Sequence, residues 1–118
     1  MEKNIKVMNK ITELLETCEI GLKHIQHQYQ QMRYEESMML FHDVIHAFAT
    51  IENSYNNLNV KEEIKSSNEL RKAFDLIVNF YEENDYAQLQ QVMQFTLLPS
   101  FKRWRAELED NLTQLLMN

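Results

Sequence analysis

The segment from Glu83 to Trp104 reads ENDYAQLQQVMQFTLLPSFKRW and contains the only proline of the chain, Pro99. Apolar residues keep helical spacing on both sides of this proline and share one face through it. They are Leu89, Met93, Leu97, Phe101, Trp104, Leu108, Leu112 and Leu115. Two separate helices would have no reason to keep phase across a linker. Because proline bends a helix and removes one backbone hydrogen bond, the pattern predicts one helix from Asp85 to about Met117, kinked at Pro99.

The rest of the chain is also poor in turn-forming residues. Its 118 residues include one Gly and one Pro, whereas sheets and hairpins need such residues at most of their turns. A hydrophobic content of 44% and a charged content of 25% are ordinary for a folded protein. The composition therefore predicts a single all-α domain over residues 1–118.

Apolar residues spaced alternately three and four apart predict the first two helices. The first spans about Lys3–Gln31, and its apolar positions are Met8, Ile11, Leu15, Cys18, Leu22, Ile25, Tyr29 and Met32. Gly21 inside it reflects either a close helix crossing or, as we prefer, neutral drift. The second follows a short polar connection around Arg33–Glu35 and ends in the segment Asn56–Asn59. Its apolar positions are Phe41, Val44, Phe48, Ile51, Tyr55 and Leu58.

The third helix has two candidate starts. Asn59-x-x-Glu62 forms a capping box that predicts a start near Val60, and Ser66-x-x-Glu69 offers a later one; we prefer the early start. The helix carries Leu70, Phe74, Ile77, Val78 and Tyr81 and stops at Asn84, where Asp85-x-x-Gln88 caps the next helix. Four helices with short connections predict an antiparallel up-down-up-down four-helix bundle.

The charge balance excludes several classes of partner. Twelve basic and eighteen acidic residues give a formal charge of −6, which argues against nucleic acid and against anionic membranes. The single cysteine, Cys18, permits no intrachain disulfide and fits a reducing compartment. The N-terminal residues lack the apolar core of a signal peptide, and no apolar run is long enough for a membrane span. We therefore expect a cytoplasmic protein.

Four histidines form two helical pairs, His24 with His27 and His42 with His46. The i, i+4 spacing of the second pair suits a shared metal ion. Both pairs, however, lie away from the apolar face of their helix, and the chain has no Glu-x-x-His motif of the di-iron bundles. We expect surface histidines and no metal or other cofactor. The alternative is a metal-binding helical protein, or a metal-dependent enzyme, that uses His42 and His46 with His24 or His27.

No other pattern in the sequence indicates catalysis. Cys18 lies on the apolar face of the first helix, where a thiol acts as a small hydrophobic group. No glycine-rich loop is present to hold a phosphate. We predict a protein that is not an enzyme, with no catalytic residues and no small-molecule substrate. The basic run Lys102–Arg105 either receives an acidic partner or, as we prefer, neutralises Glu107, Glu109 and Asp110 one turn later.

The third and fourth helices carry more apolar residues than a monomeric bundle needs. The surplus positions are Ala73, Leu76, Phe80, Val92, Phe95 and Leu98. Because a tight turn at Asn84 joins the two helices, these residues predict one shared groove for a protein partner or for self-association as a homodimer. Alternatively, the kink rotates Phe95 inward and the Asn56–Asn59 connection covers Phe80. Exposed methionines such as Met38 and Met39 would suit an adaptable binding face.

One set of residues resembles a known family. Asn84-Asp85-Tyr86, Leu89, Leu97-x-Pro99 and Trp104 are similar to the C-terminal pattern of a family of small uncharacterised helical proteins of Gram-positive bacteria. Leu40-x-x-Asp43-Val44-Ile45 is similar to the second helix of that family, although its spacing differs by one residue. The resemblance implies a small cytoplasmic bundle of unknown function, linked to flagellar or export proteins, and it brings no catalytic residues.

Overall fold

A computed structural model describes residues 2–117, and within them the protein is all-helical, without a strand. The elements are α1 (Glu2–Gln30), α2 (Tyr34–Asn56), α3 (Ser67–Glu82), α4 (Tyr86–Val92), a π-helical turn (Met93–Leu97) and α5 (Leu98–Met117). The molecule measures 47 × 22 × 18 Å along its principal axes. No helix among the described residues has the length and apolar character required to cross a membrane.

The apolar spacing in α1 and α2 predicted the core correctly, with one exception. From Met8 to Tyr29, and from Phe41 to Leu58, every apolar position named for the two helices is buried. The exception is Met32, which lies beyond the end of α1 and is 78% exposed. It has a φ of 60°, in the left-handed region that helix ends usually reserve for Gly or Asn. The predicted place of Met32 on the apolar face is therefore wrong.

Helices α1 and α2 cross closely at Gly21. A Cβ atom at this position would lie 3.0 Å from Cγ2 of Val44 and 3.8 Å from Cδ1 of Leu40. A contact of 3.0 Å is tighter than carbon atoms ordinarily accept, so an alanine here requires the Val44 side chain to move. Of the two explanations for Gly21, the close crossing is the one that the structure supports.

Helix α3 begins at Ser67, so the preferred start near Val60 is wrong. Contacts with distant residues hold the preceding segment out of a helix. The hydroxyl of Tyr55 donates to the carbonyl of Glu62 over 2.7 Å. The carboxylate of Glu107, on α5, accepts bonds from the backbone N–H groups of Lys65 and Ser66 and from the Ser66 hydroxyl. Glu107 thereby satisfies donors that a capping side chain would otherwise satisfy.

The last part of the chain stays helical through its proline. No residue between Tyr86 and Met117 leaves a helical conformation, and the side chain of Asp85 accepts from the N–H of Gln88 as the capping pattern predicted. A π-helical turn ends two residues before Pro99, and there the N–H of Leu98 donates to the carbonyl of Met93. In this wider turn a backbone N–H bonds to the carbonyl five residues earlier instead of four. The change comes immediately before Pro99, which has no N–H to donate.

Candidate protein-binding surface

The six surplus apolar residues fall into three environments. Ala73 is buried in the core at 1% exposure, so solvent and partners cannot reach its side chain. Three others are partly buried and pack against the core, namely Phe80, Val92 and Leu98. Leu76 is 41% exposed and Phe95 is 68% exposed. The accessible apolar surface therefore centres on Leu76 and Phe95.

Hydrogen bonds between α3 and α5 show which residues of the two helices lie opposite each other, and so where Leu76 lies relative to Phe95. The indole Nε1 of Trp104 donates to Oγ of Ser67 over 3.1 Å. One turn further, the carboxylate of Glu69 accepts from the hydroxyl of Ser100 over 3.1 Å. In these two pairs the residue number is higher on α3 where it is lower on the last helix. Continued in that register, Leu76 lies at about the level of Phe95.

Phe95 occupies the middle of the π-helical turn. Its exposure shows that this ring is not turned into the core, contrary to the alternative in which a kink at Pro99 rotates it inward. Turns of this kind occur as single insertions in α-helices, frequently at functional sites. The ring thus stands on a wide, irregular turn and faces solvent.

The sequence on both sides of Phe95 is uncharged. From Tyr86 to Phe101 the sequence holds no Asp, Glu, Lys, Arg or His, although a quarter of the whole chain is charged. The exposed polar neighbours along this stretch are the amides of Gln88, Gln90, Gln91 and Gln94. Burying this surface against a partner would therefore leave no ionised group of α4 or the π-helical turn without water.

The sequence profile of a domain of unknown function, DUF8042, matches residues 6–107. The chain belongs to the DUF8042 family. The matched region includes both Leu76 and Phe95, together with the segment from Asn84 to Trp104. Searches among curated proteins and among solved structures found no match to the chain.

Two of the three cations in the basic run of the DUF8042 domain, Arg103 and Arg105, are paired within the chain. The guanidinium of Arg105 lies 3.2 Å from the carboxylate of Glu109, one turn later, as the spacing predicted. Glu107, the first of the three predicted acids, instead accepts bonds from Lys65 and Ser66. Arg105 also pairs with Glu16 and Glu19 of α1. Arg103 pairs with Glu69 on α3. These two cations hold the last helix to α1 and α3, so their positive charge is used largely within the chain.

Residues considered for chemistry are dispersed. All four histidines are exposed. Nowhere in residues 2–117 do three His, Cys, Asp or Glu side chains come close enough to hold a metal ion. Burial raises the pKa of the Cys18 thiol to about 11 although the charge of Arg105 acts in the opposite direction. The thiol is therefore protonated at neutral pH and is a poor nucleophile.

Sequence reasoning missed a buried hydroxyl network at one end of the DUF8042 domain. The hydroxyl of Ser37 donates to the carbonyl of Tyr34 and lies 2.6 Å from the hydroxyl of Tyr81. The Tyr81 hydroxyl in turn lies 2.6 Å from that of Tyr29. Burial raises the pKa of both phenols, so they are neutral at physiological pH. The tyrosines were predicted as apolar core positions, and spacing alone carries no signal of the bonds between them.

Proposed function

We propose that this DUF8042 domain is a non-enzymatic protein-interaction module. It binds an amphipathic helix of a client protein across the groove formed by Leu76, Phe80, Val92, Phe95 and Leu98. It needs no metal or other cofactor for this. It works in the bacterial cytoplasm as an adaptor or chaperone-like protein for an export or flagellar client.

The observation that carries this proposal is the exposed ring of Phe95, at about the level of exposed Leu76 and within a stretch of helix that lacks charge. An apolar ring that is two-thirds exposed costs free energy in water unless a partner covers it, about 25 cal/mol per Å² of apolar area. Helix-in-groove recognition uses such anchors at intervals of one helical turn. Partly buried Phe80, Val92 and Leu98 would form the floor of the groove.

The proposed scaffold is an antiparallel up-down-up-down four-helix bundle with its last helix kinked at Pro99. Two contacts support opposite directions for α1 and α2, because Gly21 approaches Val44 while Tyr29 packs its ring 5.4 Å from that of Tyr34. The connection between them is only three residues long. The π-helical turn just before the proline supports a bend at this place.

The client class rests on physical likeness. Small acidic helical bundles that act as flagellar and secretion chaperones hold an amphipathic client helix, and the net charge of −6 with a surplus apolar stripe fits that class. The similarity of residues 84–104 to small helical proteins of Gram-positive bacteria points to the same setting.

Two substitutions test the groove without disturbing the core. Leu76→Asp and Phe95→Asp change exposed side chains, so we expect unchanged helical circular dichroism together with loss of client binding. Met39→Asp is the matched control, since Met39 is 81% exposed on α2, outside the groove. Phe80→Asp is less informative because its ring packs partly against the core. Loss of helicity in Phe95→Asp would contradict the proposal.

Self-association uses the same surface and is measured separately. Light scattering gives the mass of the native protein and of Phe95→Asp in solution. A native dimer that becomes a monomer in Phe95→Asp would assign the groove to a second copy of this chain. A monomer in both cases leaves the groove free for a client helix.

A further inference from the structure

A second surface lies at the end of the molecule where the α1–α2 turn meets the α3–α4 turn. Two adjoining clefts open there, of about 350 and 240 Å³. Both are walled by Tyr34, Glu35 and Tyr86; Met32 completes the larger cleft and Met38 the smaller one. We call these five residues the turn-end surface. It shares no residue with the groove around Phe95.

The aromatic part of this surface is preformed. The rings of Tyr34 and Tyr86 stack with centroids 4.3 Å apart and planes within 3° of parallel. Gln90 donates from Nε2 to the hydroxyl of Tyr34 over 2.5 Å and to the carbonyl of Tyr29 over 3.1 Å. Packing and hydrogen bonds thus fix the stack before any partner arrives, which lowers the entropy lost on binding.

Met32 is the unusual residue of the turn-end surface. The two turns have the same bonding pattern: Arg33 N–H donates to the carbonyl of Gln28, and Asp85 N–H to that of Phe80. In each, the residue before the donor is left-handed, with φ 60° at Met32 and 55° at Asn84. Asn tolerates this conformation, whereas Met is strained in it. The first turn therefore keeps a strained methionine that is 78% exposed, where Gly would be more stable.

The charge around the turn-end surface specifies its partner. Glu35 and Glu36 begin α2, and Glu82, Glu83 and Asp85 border the other turn. Against these five carboxylates stands Arg33, whose guanidinium already lies 4.0 Å from Glu36. We infer that the turn-end surface binds a basic segment of another protein, with apolar side chains seated between Met32 and Met38 and Lys or Arg side chains facing the carboxylates.

Two short synthetic peptides of equal positive charge provide the probe. One alternates leucine and lysine in a helical pattern, and the other has serine in place of each leucine. We expect the leucine peptide to bind the full chain at least about tenfold more tightly, with an affinity that falls as salt is raised. Equal binding of the two peptides would overturn the inference, because charge alone would then account for it.

Methionine methyl NMR locates the binding. The leucine peptide should shift the methyl signals of Met32 and Met38 and leave those of buried Met8 and Met93 unchanged. Met39 is a built-in control, since it is more exposed than Met38 but lines neither cleft. Shifts at Met39 equal to those at Met38 would show non-specific contact and contradict the site.

The strained methionine allows a sharper variant. Met32→Gly should weaken the leucine peptide about fivefold or more while raising the melting temperature by about 3 °C, since Gly relieves the strain. Met39→Ala, a change to an exposed methionine that lines neither cleft, is the control and should leave binding unchanged. Unchanged binding in Met32→Gly would refute the role of this residue. Phe95→Asp should leave the peptide-induced shifts of the Met32 and Met38 methyl signals unchanged, so failure here and failure of the groove are told apart.

Discussion

The phenol oxygens of Tyr29 and Tyr81 lie 2.6 Å apart, which ties the last turn of α1 to the last turn of α3 inside the protein. The Ser37 hydroxyl donates its single hydrogen to the carbonyl of Tyr34. In its bond with Tyr81 it can therefore only accept, so the Tyr81 hydroxyl is the donor. Tyr29 must then donate to Tyr81. The bonds therefore run in one direction, with Tyr81 in the middle.

This order predicts unequal effects of two similar substitutions. Tyr81→Phe leaves the buried donor of Tyr29 without a partner, and we expect a loss of about 2 kcal/mol in the free energy of unfolding. Tyr29→Phe removes the hydroxyl that donates to Tyr81 and leaves no buried donor unpaired, so we expect a loss of about 1 kcal/mol in the free energy of unfolding. Urea unfolding of both variants measures the difference. A larger loss in Tyr29→Phe than in Tyr81→Phe would mean that the direction is wrong.

The bonds from Glu107 to the start of α3 predict an acid-dependent loss of stability. Burial acts to raise the pKa of this carboxyl, but bonds from Ser66 and Lys65 outweigh it and the pKa is lowered. A lowered pKa in the folded state adds stability that is present above the unfolded value of 4.5 and is lost as pH falls through the folded value.

Glu107→Ala should therefore cost about 1–2 kcal/mol at neutral pH, and the cost should shrink below about pH 4. Hydrogen exchange should also show faster exchange at the N–H groups of Lys65 and Ser66. Asp110→Ala, a change to an exposed carboxylate on the same helix, is the control and should do neither. A cost in Glu107→Ala that stays constant down to pH 3 would contradict the assignment.

The close crossing at Gly21 predicts a conditional effect of alanine. Ala gains about 1 kcal/mol of helix propensity over Gly, but overpacking against Val44 costs about 1–3 kcal/mol. We expect Gly21→Ala to lower the free energy of unfolding of the native protein by about 1 kcal/mol. The same change made in the Val44→Ala variant should raise the free energy of unfolding of that variant by a similar amount. Thermal or urea unfolding of the four proteins gives the coupling energy. Additive effects would show that the two positions do not meet.

The exposed histidines predict a weak response to metal. Protein purified without a tag should carry no stoichiometric ion, and saturating zinc should raise the melting temperature by less than about 2 °C. The double change His42→Ala and His46→Ala should remove whatever shift remains. A stoichiometric ion with a large shift would instead favour the metal-binding alternative.

The sequence predicted the helical core well because burial in α1 and α2 follows the three-and-four spacing directly. It failed where distant residues decide. The start of α3 depends on Glu107, which lies 41 residues from Ser66 and carries no local signal.

The π-helical turn did leave a trace in the sequence. Leu89, Met93, Leu97 and Phe101 follow one another in steps of four, and an α-helix of 3.6 residues per turn would carry Phe101 about 120° away from Leu89. A wider turn corrects that drift and keeps all four side chains buried.

For the candidate surface, spacing identified the apolar excess but not its exposure. Ala73 and Phe95 were both predicted as surplus apolar positions from their helical spacing, yet Ala73 is buried and Phe95 faces solvent. Their difference arises from how closely α3 and the π-helical turn approach, which depends on three-dimensional packing.

Site-specific photo-crosslinking tests the central claim, that Phe95 marks a client-binding groove. A benzophenone amino acid replaces Phe95 in one version of the protein and Met39 in another, each expressed in the cells that encode it, and adducts are identified by mass spectrometry. We predict a discrete adduct from position 95, mapped to an amphipathic helix of one client protein and absent from position 39. Identical adducts from both positions, or none from position 95, would contradict the proposed function.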